Sequence, residues 1–114
     1  MSALPAGLRI AHADVLADPC ALVIELTHGE KRASLLVTKR AGVISVFLNR
    51  CPHAGYPLQR ADGRVVVQQE RYIVCPAHGA SFELDTGACA GGPCNGEGLD
   101  RVAVTVRDGW IETA

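Results

Sequence analysis

The sequence predicts an all-β fold, an antiparallel β-sandwich or small barrel. Short β-branched and aliphatic runs recur along the chain, turn residues break them at close spacing, and sustained helical periodicity is missing. Aromatics make up only 4% of a chain that is 48% hydrophobic, so Val, Ile, Leu and Ala must fill most of the interior. That composition argues against disorder. The 114 residues suit one domain, 1–114, with a modest core.

Residues 4–18 are ambiguous and could hold one short strand or a turn of helix. Ala21–Thr27 and Ala33–Thr38 are rich in Val, Ile and Leu, and His28–Gly29–Glu30–Lys31 between them reads as a hairpin turn. Arg40–Ala41–Gly42 is the next turn. Val43–Asn49 then alternates, with Val43, Ser45 and Phe47 on one face and Ile44, Val46 and Leu48 on the other. Asp62–Gly63 is a turn signal, and Val65–Val67 and Tyr72–Val74 follow as short strands. Residues 86–100 hold Gly87, Gly91, Gly92, Pro93, Gly96 and Gly98 and read as irregular backbone, the kind of long loop that carries function. Arg101–Val106 and Trp110–Thr113 form a last hairpin around Asp108–Gly109.

A formal net charge of −1 offers nothing basic enough to follow a phosphate backbone, so nucleic acid is a poor partner. Met1–Ile10 lacks a basic start followed by a long apolar run. No apolar stretch approaches the roughly 18 residues that a membrane span requires. A cytoplasmic protein without a membrane partner is therefore expected. Five cysteines could suggest disulfides, but the count is odd, and two of them stand beside histidines at metal-ligand spacing.

Those two belong to Cys51-Pro52-His53-Ala54-Gly55 and Cys75-Pro76-Ala77-His78-Gly79. Each motif follows a predicted strand and opens a Pro/Gly-containing turn. Thiolate and imidazole suit iron and zinc. Proline stiffens such a loop, and glycine lets its backbone turn sharply near a metal. Each loop offers one sulfur and one nitrogen, so two loops clamping one cluster would supply two Cys to one iron and two His to the other. A structural Cys2His2 zinc site is the alternative. Zinc fingers usually order their ligands as a Cys pair and then a His pair, whereas here the pairs are mixed.

The pattern C-x-H, spacer, C-x-x-H resembles the Rieske [2Fe–2S] ferredoxin family. Asn49–Leu58 is similar to its first cluster loop and Cys75–Leu84 to its second. Gly92-Pro93 is similar to its third, proline-containing loop, and the likeness runs from about Val43 to Ile111. It implies a Rieske-type fold with a cluster-binding part at about 49–95, made of two ligand loops and a proline loop. It also implies one [2Fe–2S] cluster per chain, held by Cys51, His53, Cys75 and His78, with the two histidines facing outward.

High-potential members of that family join the two loops by a disulfide, at positions matching Tyr56 or its neighbour and Ala77. They also place a serine and a tyrosine, matching Ala80 and Phe82, to hydrogen-bond the cluster sulfurs. This chain has neither device, which points to the low-potential ferredoxin type. The resemblance thus implies a one-electron carrier and not an enzyme, passing electrons from a reductase to an oxygenase. The runner-up is the small subunit of a larger reductase such as a nitrite reductase. A zinc-stabilised binding module comes third.

The remaining candidates read more simply. Cys89 and Cys94 flank Gly92-Pro93 and are expected to be small loop residues in a reducing cytoplasm, a loop disulfide or redox sensor being the alternative. Cys20 is expected to be a buried thiol, His12 and His28 surface groups, and Trp110 a core or covering residue. Tyr56, Pro57 and Leu58 are expected to shield the site.

Overall fold

The computed structural model describes residues 6–52, 55–77, 79–92, 94 and 96–114. Its strands are β1 (Arg9–His12), β2 (Cys20–His28), β3 (Lys31–Arg40), β4 (Val43–Leu48), β5 (Val66–Gln68), β6 (Tyr72–Val74), β7 (Ser81–Glu83), β8 (Cys89–Gly91), β9 (Val104–Arg107) and β10 (Trp110–Thr113). They form three antiparallel sheets in the orders β1-β10-β9, β2-β3-β4 and β5-β6-β7-β8. Among the described residues the sole helical element is a 3-10 turn at Ala13–Val15. The ambiguous N-terminal stretch therefore contains both a strand and a helical turn. Among the described residues no helix is long and apolar enough to cross a membrane.

The middle sheet β2-β3-β4 is the wall between two cores. Successive strand residues point to opposite faces, and both faces here are covered. Leu35, Val37 and Val46 join Ile10, Leu16 and Ile111 in one buried cluster. Leu36 and Phe47 turn the other way, into a second cluster with Leu58, Ile73, Phe82, Leu84 and Leu99. The pairing enforces this division, since Leu36 sits opposite Phe47 and Val37 opposite Val46. A strand buried on both faces must be apolar at nearly every position, which explains the unbroken Leu35–Val37 run. The two faces read from the alternation in β4 are the two faces observed.

Polar pegs tie the wall to the β5-β6-β7-β8 sheet. Thr38, fully buried, donates its hydroxyl to the Leu84 carbonyl at 2.5 Å. Ser45 donates to the Asp85 carbonyl at 2.8 Å, and Arg101 Nη1 reaches the same oxygen at 3.3 Å. The chain then returns along the free edge of β4, where the Leu48 amide donates to Asp100 and the Val102 amide to Val46, both at 2.8 Å.

One sequence expectation is corrected. Residues 86–100 are not wholly irregular, because β8 adds an edge strand to β7 through Ser81↔Gly91 and Phe82↔Cys89, with an irregularity between the two pairs. A three-residue strand containing Gly91 has almost no side-chain pattern to reveal it. Strand β7 lies within the stretch assigned from sequence to the second cluster loop, and it appears where Phe82 packs into the core.

The Thr38 peg leads to a test. Thr38→Val keeps the shape and deletes the donor, leaving a buried carbonyl without it. The expected cost is about 1–3 kcal/mol of unfolding free energy, read from urea denaturation.

Candidate metal centre

Both cysteine motifs fold into the same backbone turn. The Cys51 amide donates to the Tyr56 carbonyl at 2.8 Å, and the Gly55 amide donates back to Cys51 at 2.7 Å. In the second motif the Cys75 amide donates to Ala80 at 2.8 Å, and the Gly79 amide donates back to Cys75 at 2.9 Å. Each turn closes on a left-handed residue, Gly55 at φ +74° and Gly79 at φ +78°. A side chain there is strained whatever the free space, so glycine follows from the turn itself.

The turns hang from strands of two different sheets. Cys75 follows β6 directly, and Cys51 follows β4 after Asn49 and Arg50. Both cysteines are buried, at 1% and 0% exposure, in the same cluster as Ala80 and Phe82, and neither is in a disulfide. The structure thus brings the two predicted sulfur ligands into one apolar core. His53 and His78 lie outside the described residues. Among the described residues no group of three or more metal-binding side chains occurs.

Asn49 closes the first loop at its base, a role the sequence did not reveal. Its Oδ1 accepts from the Leu58 amide at 2.8 Å, while its Nδ2 donates to Gln59 Oε1 at 2.6 Å and Ser34 Oγ at 3.0 Å. The backbone donor at Leu58 fixes which end of the amide is oxygen. Leu58 is fully buried, so it seals the core beneath the loop, whereas Tyr56 is 50% exposed and does not. Beside it an open groove of about 390 Å3 runs between the two turns, lined by Tyr56, Pro57, Gln59, Arg60, Ala61, Pro76 and Ala77.

The other cysteines separate cleanly. Cys89 and Cys94 form a disulfide, which corrects the expectation of unpaired loop residues. Cys20 is partly buried, and that burial raises its thiol pKa. His12 sits against Trp110 with ring centroids 5.0 Å apart, and Arg9 stacks on the same indole at 4.8 Å. Trp110 therefore packs against His12 and Arg9 of β1 in the β1-β10-β9 sheet. His28 is exposed at the end of β2.

Comparison with known proteins agrees with this geometry. A family model described as Rieske [2Fe-2S] domain matches residues 11–107. The chain belongs to this family. A ferredoxin from Sphingomonas yanoikuyae B1 superposes on the Rieske chain with a TM-score of 0.70 at 31% identity, covering 94% of this chain and 96% of that one. The ferredoxin of carbazole 1,9a-dioxygenase from Nocardioides aromaticivorans IC177 gives a TM-score of 0.73 over 96% and 98% of the two chains, at 23% identity. Among curated proteins, the carnitine monooxygenase oxygenase subunit of Escherichia coli K12 is 34% identical over 76 residues, 67% of this chain. The Rieske chain spans 19% of the length of that relative.

The Asn49 clamp can be tested directly. Asn49→Ala leaves the buried Leu58 amide without its acceptor and should destabilise by about 1–3 kcal/mol in chemical denaturation. Asn49→Asp keeps that acceptor but sets an oxygen against Gln59 Oε1 and Ser34 Oγ. Recovery of only part of the loss by Asp would show that both ends of the amide are used.

Proposed function

We propose that this Rieske chain is a cytoplasmic one-electron carrier, built as one domain over residues 1–114, that binds a single [2Fe–2S] cluster through Cys51, His53, Cys75 and His78. The observation that carries the reading is the pair of matched turns that deliver two buried thiols, neither in a disulfide, into one core. A lone thiolate would be costly in such an apolar setting, and coordination to a metal removes that cost. Mixed Cys and His donors fit the Rieske ligand set. When bound, the cluster supplies reversible storage of one electron.

The chain's own residues define the rest. The second turn places Ala80 and Phe82, both without hydrogen-bond donors in their side chains, in the core that holds the cysteines. Hydrogen bonds to cluster sulfur favour the more negative, reduced state, and the lack of side-chain donors at Ala80 and Phe82 supports a potential near the low end of the Rieske range. Tyr56 and the groove between the turns give partners an accessible surface beside the cluster loops. We assign reductase and oxygenase as those partners. Support comes from the ferredoxin likeness over nearly the whole of both chains.

A second reading is favoured by the curated matches. The carnitine monooxygenase oxygenase subunits contain a matching stretch within much longer chains, so the Rieske unit could serve inside an oxygenase. Stopped-flow mixing of the reduced protein with a separate oxygenase discriminates the two. Electron transfer in trans supports the carrier, and failure with every partner favours the embedded unit.

Iron and sulfide analysis with EPR of the dithionite-reduced protein tests the cluster. Cys51→Ser and Cys75→Ser should abolish the native signal, and His53→Cys or His78→Cys should leave at most a cluster that is harder to reduce. Four single Ala variants with wild-type iron content and spectrum would overturn the ligand assignment. Separately, Ala80→Ser combined with Phe82→Tyr should raise the reduction potential measured by protein-film voltammetry. An unchanged potential in an intact cluster would contradict the hydrogen-bond argument.

A further inference from the structure

The Cys89–Cys94 disulfide has no part in the function proposed above, yet it acts on the second cysteine turn. Its two Cα atoms are 6.0 Å apart, and it encloses Gly92. Gly92 lies hard against that turn: a Cβ there would stand 2.8 Å from the Gly79 carbonyl oxygen and 2.9 Å from the Ala80 Cα. Gly79 and Ala80 are the residues that close the turn onto Cys75. A covalent clamp therefore presses backbone onto the ligand loop.

Sheet pairing alone ties β8 weakly. β8 is three residues long and meets β7 at two pairs with an irregularity between them. So short a ladder is marginal by itself. The two sulfurs also differ in access. Cys94 is 1% exposed and belongs to the core with Cys51 and Cys75, whereas Cys89 is only partly buried. Attack from outside can reach Cys89 and is blocked at Cys94.

We propose that Cys89–Cys94 is a thiol–disulfide exchange site that takes a dithiol as its reductant, and that opening it frees Gly92 from Gly79 and Ala80 and loosens the second ligand turn. One thiolate of the dithiol attacks Cys89 Sγ, the Cys89–Cys94 bond breaks, and Cys94 leaves as a thiolate that takes up a proton. The second thiol of the reductant then attacks the mixed disulfide and releases Cys89, which is protonated in turn. Two electrons and two protons pass to the protein, and the dithiol becomes a disulfide. In a reducing compartment a disulfide of this kind is transient and suits sensing. The consequence for cluster retention rests on the function proposed above. The exchange chemistry and the loosening do not.

Hydrogen exchange read by mass spectrometry tests this on the protein as purified, before and after dithiothreitol with alkylation of the released thiols, and on Cys89→Ser. Exchange at the Cys75 and Gly79 amides should rise at least about tenfold on opening, while β9 and β10 stay protected. Cys89→Ser loaded with iron and sulfide should also lose iron to a chelator about tenfold faster than the closed form. Unchanged exchange at Cys75 and Gly79 in both the reduced protein and Cys89→Ser would overturn the proposal. An equal rise in β9 and β10 would overturn it too, because opening would then be global. Failure of the cluster reading shows separately, as absence of iron and sulfide from the closed protein, and leaves the exchange result intact.

Discussion

Everything in this molecule depends on a sheet that is buried on both faces. In β3, Leu35 and Val37 serve one core and Leu36 the other; in β4, Val46 and Phe47 divide in the same way. A register slip of one residue would exchange the two sets at once and spoil both cores. The pairing is therefore doubly specified, and so is the point where β4 ends. Cys51 lies three residues beyond that end, and its turn inherits the precision of the sheet. Cys75 gains its place from Ile73 and Phe82, which fill the same core as Phe47. The two cysteines share one core because hydrophobic packing brings their strands together.

The sequence made part of this legible. The alternation in β4 revealed both faces, because period-two patterning records burial directly. The two Cys–His motifs marked their turns, because a left-handed position excludes nearly every residue but glycine, as at Gly55 and Gly79. Family likeness added the fold. In each case a local constraint left its imprint on consecutive residues.

Other features left no such imprint. Asn49 reads as the polar end of a strand, and its value lies in Leu58, Gln59 and Ser34, which only the folded loop places around it. Thr38 in an apolar run looks like a β-former, not a peg to a carbonyl 46 residues away. β8 is too short and too poor in side chains to show a period. Cys89 and Cys94 stand five residues apart in a glycine-rich stretch, which by itself leaves pairing open. What decides pairing is whether the chain brings two Cα atoms to bonding distance, and that depends on how β8 docks on β7.

Ala80 shows how closely these demands are joined. Its carbonyl accepts from Cys75 and so closes the second turn. Its Cα lies against Gly92 so tightly that a side chain on Gly92 would collide. Its methyl group is fully buried in the core with both cysteines. A larger residue at position 80 would crowd the core that holds both cysteines. A polar one would instead bring a donor into the surroundings of the sulfurs. Packing and polarity around the two cysteines are thus set at one position. A small apolar residue satisfies both: it fits the core, and it adds no side-chain hydrogen bond toward the sulfurs.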